Sequence, residues 1–181
     1  MNNCKEINLL ETKEVCRNRW MRVREDIIIR KDGSKGIYGV VEKKDFAIII
    51  AVDGEYTYLV EQYRYPVEKR FWEFPQGSWE ESDITPEELA KAELKEETGL
   101  ISQNIKFVGH LFGAYGYSNQ GYNIFIATDF EYSNCELDPE EVGLISKKFK
   151  ITEVENMIIN SQIKDSTSIA AFGLLKLKNL I

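Results

Sequence analysis

GSWEESDITPEELAKAELKEETGL, residues Gly77 to Leu100, is the stretch from which the rest of the chain is read. Thr85 stands where a helix N-cap belongs, Pro86 occupies the first helical position with its φ already set, and Glu88 completes a capping box. Gly99 follows where a helix stops, so the spacing predicts a helix over Pro86 to Thr98. Glu93, Glu96 and Glu97 then fall at i, i+3 and i+4, neighbours on one helical face. Like charges at that spacing cost roughly 0.2–0.5 kcal/mol per pair on an isolated helix. Magnesium and manganese take oxygen ligands from one or two carboxylates together with waters and substrate phosphates, and this face offers such oxygens. On spacing alone, a solvated acidic face salted by Lys91 and Lys95 accounts for the same residues.

Upstream of this helix the pattern is strand-like. Trp20 to Ile29 and Gly36 to Glu42 flank a Lys-Asp-Gly-Ser turn at Lys31 to Ser34, which reads as a hairpin. Phe46 to Val52 is a continuous apolar run, Asp53-Gly54 signals a turn, and Tyr56 to Tyr63 resumes an extended pattern. Phe71 to Phe74 is a short apolar segment stopped by Pro75 and Gly77, and Lys106 to Phe112 and Tyr122 to Thr128 are further expected strands. Two helices close the chain: Val154 to Ile159, preceded by a Thr152/Glu155 capping box, and Thr167 to Leu177, after Asp165. The expected class is α+β, a mixed sheet with helices packed outside it.

A chain of 181 residues, 43% hydrophobic and 29% charged, is long enough to bury the core of one domain. Its three cysteines, Cys4, Cys16 and Cys135, lie far apart and match neither a disulfide framework nor metal-ligand spacing, so a reducing cytoplasm is the expected setting. The opening MNNCKEINLL lacks a basic region followed by an apolar run, and Phe46 to Val52 is too short to span a bilayer; neither a targeting signal nor a membrane segment is expected. The net charge of −7 argues against nucleic acid as a partner, because phosphate backbones select a basic face. It would also repel a phosphorylated substrate, unless divalent cations reverse the local field.

The segment Gly77 to Leu100 resembles the Nudix box, G-x5-E-x7-R-E-U-x-E-E-x-G-U, with U a bulky aliphatic residue. Glu93, Leu94, Glu96, Glu97, Gly99 and Leu100 fall in register. The front half departs from it: one extra residue lies between Gly77 and Glu93, Asp83 stands where the loop glutamate belongs, and Ala92 replaces the arginine. The resemblance implies an α/β/α sandwich whose box glutamates hold Mg2+, or Mn2+, for hydrolysis of a diphosphate bond. It divides the chain into an N-terminal β-hairpin extension over 1–44, used for homodimerisation, and a hydrolase domain over 45–181.

LVEQYRYPVEKRFWEFPQGS, Leu59 to Ser78, is similar to the branch that acts on ADP-ribose and other nucleoside diphosphate sugars. That likeness assigns Arg64 to substrate phosphate or sugar, for which a bidentate guanidinium is suited. It gives Gln76 a backbone carbonyl on the metal and sets Glu73 beside the site. The attacking water needs a base. In the loop GAYGYSNQGYN, Gln120 stands where many members carry that glutamate, and glutamine accepts no proton. The resemblance passes the role to Glu141, or its neighbour Glu140, in DPEEVGLIS, with Glu97 a third candidate. Trp20 and Tyr38 match an aromatic pair that stacks on the base across a dimer, although packing within a hairpin explains both rings equally well. Tyr115 is reminiscent of dinucleoside polyphosphate hydrolases, the alternative substrate class, and the altered box leaves a catalytically silent nucleotide-binding module as a rival. His110 is expected to cap a strand, without chemistry.

Overall fold

In Phe46–Asp53 (β4), Ala47, Ile49 and Ala51 alternate with Ile48 and Ile50, and all five are fully buried. Successive side chains of a strand point to opposite faces, so both faces of this strand must be covered. A computed structural model, describing residues 5–78, 84–133 and 142–181, shows what covers them. The small face, with Ala47, Ile49 and Ala51, packs beneath Leu89, Ala90 and Leu94 of Pro86–Thr98 (α1). The isoleucine face packs against Val154 and Met157 of Ile151–Ile159 (α2) and Ala171, Phe172 and Leu175 of Ser166–Leu177 (α3). Each isoleucine removed from water in this way stabilises the fold by about 1.5–3 kcal/mol. The result is the expected three-layer sandwich around a mixed sheet.

The chain divides into two units, Met1–Asp45 with Phe112–Gly121, and Phe46–Leu111 with Tyr122–Ile181. In the second unit, β4 lies parallel to Gly121–Tyr132 (β9) and antiparallel to Tyr56–Arg64 (β5). Leu100–Phe112 (β8) and Ile145–Lys150 (β10) complete the order β10-β5-β4-β9-β8. Lys69–Glu73 (β6) pairs with β5, and the two-residue strand Gln76–Gly77 (β7) pairs with β4. The break between β6 and β7 follows from Pro75, which has no N–H for a ladder; its carbonyl accepts from Ile49 N at 3.0 Å instead.

The first unit holds an antiparallel sheet in the order β1-β2-β3, built from Ile7–Arg17 (β1), Arg22–Arg30 (β2) and Lys35–Glu42 (β3). The loop after β8 runs beside β3: Val41 N donates to Tyr117 O at 2.8 Å and Asn119 N to Val41 O at 3.2 Å. Where the sequence predicts a hairpin beginning near Trp20, the sheet has an additional strand, β1. Register shifts between Leu9 and Glu11 and between Glu14 and Cys16 break its alternation, and its residues are exposed throughout, so no period-2 signal survives.

Three other expectations are corrected. β8 begins at Leu100, directly after Gly99, whose φ of +71° turns the chain out of α1 and into the sheet. The second helix is not capped by Thr152 and Glu155: Lys150 is its N-cap residue, and Glu153 accepts from Lys150 N at 2.8 Å. His110 lies inside β8 rather than at a strand end. Among the described residues no helix is long and apolar enough to cross a membrane.

Candidate functional site

The capping box read from the sequence is present, with Glu88 N donating to Thr85 Oγ1 at 3.2 Å and Thr85 N to Glu88 Oε2 at 2.8 Å. It fixes the start of α1, and the helical period then turns Glu93 and Glu97 inward, to 6% and 1% exposure, while Glu96 remains half-buried. Holding an ionised carboxylate away from water costs on the order of several kcal/mol unless it is paired or hydrogen-bonded. Both buried carboxylates face the backbone of Gln76–Gly77. Gln76 N donates to Glu97 Oε2 at 3.1 Å. The Glu93 carboxylate lies so close to Gly77 that a Cβ there would sit 2.3 to 2.4 Å from its Oε1, Cδ and Oε2 atoms. The box glycine is therefore the space in which Glu93 is seated.

Beside this strap, the predicted substrate residue Arg64 and the predicted neighbour Glu73 are paired. Arg64 Nε donates to Glu73 Oε2 at 3.3 Å, Arg64 Nη2 donates to the other carboxylate oxygen, and Gln62 Nε2 reaches Glu73 Oε1 at 2.9 Å. Glu73 is 3% exposed whereas the Arg64 side chain is 42% exposed. Burial pushes the Glu73 carboxyl above the ordinary carboxylate range, against the pull of the Arg64 charge and hydrogen bonds, and the nearby Asp165 charge adds to the rise.

Asp165 belongs to the N-terminus of α3, where it accepts from Ser168 N at 2.8 Å and Thr167 N at 3.4 Å. Burial works to raise its pKa, but hydrogen bonds from Thr167 and Ser168 outweigh it and hold the carboxyl below the usual aspartate range. It also accepts from Gln76 Nε2 at 3.2 Å, and Phe74 N donates to Ser168 Oγ at 2.9 Å. In the sequence Asp165 stands out only as the residue before a helix. Its contact with Gln76 spans 89 residues, and no local motif announces it.

The donor set suits a hard divalent cation. Glu93 and Glu97 supply buried oxygens, Glu96 stands on the adjacent turn, and the space that a Cβ on residue 77 would take is filled by the Glu93 carboxylate. Among the described residues no three His, Cys, Asp or Glu side chains converge closely enough to enclose an ion by themselves.

The other predicted residues fall elsewhere. Trp20 lies in the turn before β2, its backbone N–H held by Asn18 Oδ1 at 2.9 Å and the Arg19 guanidinium 4.3 Å from its ring centroid. Tyr38 is level with Asp26 in β3 and donates its hydroxyl to Gly116 O at 2.9 Å. Both rings belong to the first unit. Gln120, at the position weighed for a base, donates to Lys44 O at 2.8 Å, a structural bond within that unit. Asp83, Glu140 and Glu141 lie outside the described residues.

The family described as the NUDIX domain matches residues 42–142, and that described as the nucleoside diphosphate sugar hydrolase N-terminal domain matches residues 7–41. An ADP-ribose pyrophosphatase of Mycobacterium tuberculosis is 28% identical over 150 residues, covering 82% of this chain and 72% of that protein. A methanol dehydrogenase activator of Bacillus methanolicus is 25% identical over 180 residues, 97% of this chain and 96% of the relative. The solved structure of an ADP compounds hydrolase superposes with a TM-score of 0.84 at 19% identity, covering 97% of this chain and 95% of that one, which establishes a shared fold.

Proposed function

The chain belongs to the Nudix family, and from that premise we propose that it hydrolyses the diphosphate linkage of a nucleoside diphosphate sugar, ADP-ribose first, to a nucleoside monophosphate and a sugar phosphate. The observation that carries this reading is the seating of two buried carboxylates, Glu93 and Glu97, against the Gln76–Gly77 backbone. Glu93, Glu96 and Glu97, with the Gln76 carbonyl, would hold Mg2+ or Mn2+. Such ions, when bound, neutralise phosphate charge and lower the pKa of bound water.

The protein's own residues supply position and proton transfer. Arg64, anchored through Glu73 yet half in solvent, keeps guanidinium donors available to a substrate phosphate. Glu141 takes the proton of the attacking water, the role the family resemblance gives it; Gln120 has no basic group, and its amide N–H donates to Lys44 O. Trp20 and Tyr38, each from a different subunit of the dimer, stack on the nucleobase, a contact any base can make. Residues 1–44 form the dimerisation extension of a homodimer whose hydrolase domain is 45–181. Ile7, Leu9, Val15 and Ile37, exposed on β1 and β3, support that reading. Neither a membrane nor nucleic acid takes part, and the enzyme works in the cytoplasm.

The test is a panel of nucleoside diphosphate sugars and dinucleoside polyphosphates incubated with magnesium or manganese, with products separated chromatographically. Release of nucleoside monophosphate from ADP-ribose is the expected result. Turnover confined to polyphosphates moves the substrate class, and binding without turnover leaves a silent module.

A further inference from the structure

Gln76 is held from two sides. Its backbone N–H donates to Glu97 Oε2, and its side-chain amide is gripped at both ends by the first turn of α3: Nε2 donates to Asp165 Oδ2 at 3.2 Å, and Oε1 lies 2.9 Å from Thr167 Oγ1. Thr167 Oγ1 is also 2.5 Å from Asp165 Oδ2, so its single proton is shared between two acceptors. Capping α3 requires only the bonds from Asp165 to the backbone N–H groups of Thr167 and Ser168. The grip on Gln76 is additional to that task.

The strap needs such a grip. β7 has two residues, follows a proline, and carries on its backbone both the donor to Glu97 and the seat of Glu93. A rotation about Gln76 would move the two together. Two hydrogen bonds at opposite ends of a planar amide fix its plane, and Ser168 Oγ ties the same strap again at Phe74 N. We propose that Asp165 and Thr167 are positioning residues of the metal site, acting through Gln76 to hold the orientation of Glu97 and Glu93. This rests on the reading of those glutamates as metal ligands.

The test is Mn2+ binding by the full-length protein, read from the electron paramagnetic resonance of free Mn2+, alongside kinetics. Thr167→Val removes the hydroxyl at constant shape. Asp165→Ser keeps an N-cap acceptor but is too short to reach Gln76. Both variants are expected to stay folded and to bind Mn2+ about 10- to 100-fold more weakly, the usual cost of losing an outer partner of a metal ligand. Thr167→Ser should retain wild-type affinity, and kcat should fall in the first two variants while KM for the nucleotide holds. Wild-type affinity in folded Thr167→Val and Asp165→Ser overturns the proposal, as does an equal loss in Thr167→Ser. Glu97→Gln serves as the control. If it loses Mn2+ while the α3 variants do not, the positioning role alone fails; if it too binds as wild type, the metal site itself is refuted.

Discussion

The backbone N–H of Gln76 donates to the Oε2 of Glu97 at 3.1 Å, joining a two-residue strand to the inner face of the box helix across twenty-one residues of sequence. Glu97 is 1% exposed, so a negative charge placed on it is poorly solvated by water. Replacement by glutamine keeps a carbonyl oxygen for the Gln76 N–H and removes one charge from a like-charged face. Glu97→Gln should therefore lose turnover by orders of magnitude, while its melting temperature without metal holds or rises. Calorimetry on metal-free protein beside a turnover assay checks whether the two quantities move apart.

Gly77→Ala tests the seat of Glu93. The new Cβ would collide with the carboxylate at 2.3 Å, and because that carboxylate is the end of a flexible side chain it can swing aside without unfolding the sheet. Far-UV circular dichroism should match wild type, and metal affinity should fall roughly 10- to 100-fold. Unchanged affinity would show that the seated position of Glu93 is irrelevant to binding.

The pair Arg64 and Glu73 predicts a split between stability and binding. Arg64→Ala strands a buried carboxylate, but because the arginine is 42% exposed the destabilisation should fall below the about 3–5 kcal/mol typical of a fully buried pair. Adding Glu73→Gln removes the stranded charge and should restore most of the stability, while KM stays high because the guanidinium is still missing. Urea denaturation and Michaelis kinetics on the single and double variants separate the effects.

In the three-stranded sheet, Asp26 accepts from Thr12 Oγ1 at 2.6 Å and pairs with Arg24, and these hold its carboxyl below the usual aspartate range against the upward effect of burial. A carboxyl depressed in the folded state stabilises it above the unfolded pKa of about 4, and that contribution is lost as pH falls through the depressed value. Asp26→Asn should show a shallower loss of stability on acidification below pH about 4 than wild type, as measured by urea midpoints across the acid range.

The elements that were legible in the sequence are those with local causes. Thr85, Pro86, Glu88 and Gly99 mark both ends of α1 because caps and turns are short-range devices, and the helical period then selects Glu93 and Glu97. β4 shows itself by an unbroken, isoleucine-rich apolar run closed by the Asp53-Gly54 turn, the pattern of a strand buried on both faces. β1 does not, since its bulges and its exposed charged residues erase alternation. The cap of α2 lies two residues before the capping-box pattern of Thr152 and Glu155, because Lys150 offers no capping hydroxyl to a reader of the sequence and is marked only by its N–H donating to Glu153 Oε2. Arg64 meets Glu73 across the neighbouring strands β5 and β6, nine residues on, whereas the bonds of Asp165 and Thr167 to Gln76 arise only when α3 comes against the sheet, 89 and 91 residues on. Nothing within a sequence window records them.

If the seated glutamates of α1 serve metal-dependent cleavage of a nucleoside diphosphate sugar, the 31P spectrum of ADP-ribose incubated with the protein and Mg2+ shows it, with Glu93→Gln/Glu97→Gln and excess chelator as parallel samples. The diphosphate resonances should give way to two phosphomonoester signals, AMP and ribose 5-phosphate, with the wild-type protein and metal alone. Intact diphosphate in the wild-type sample, or equal cleavage by the double variant, would contradict it.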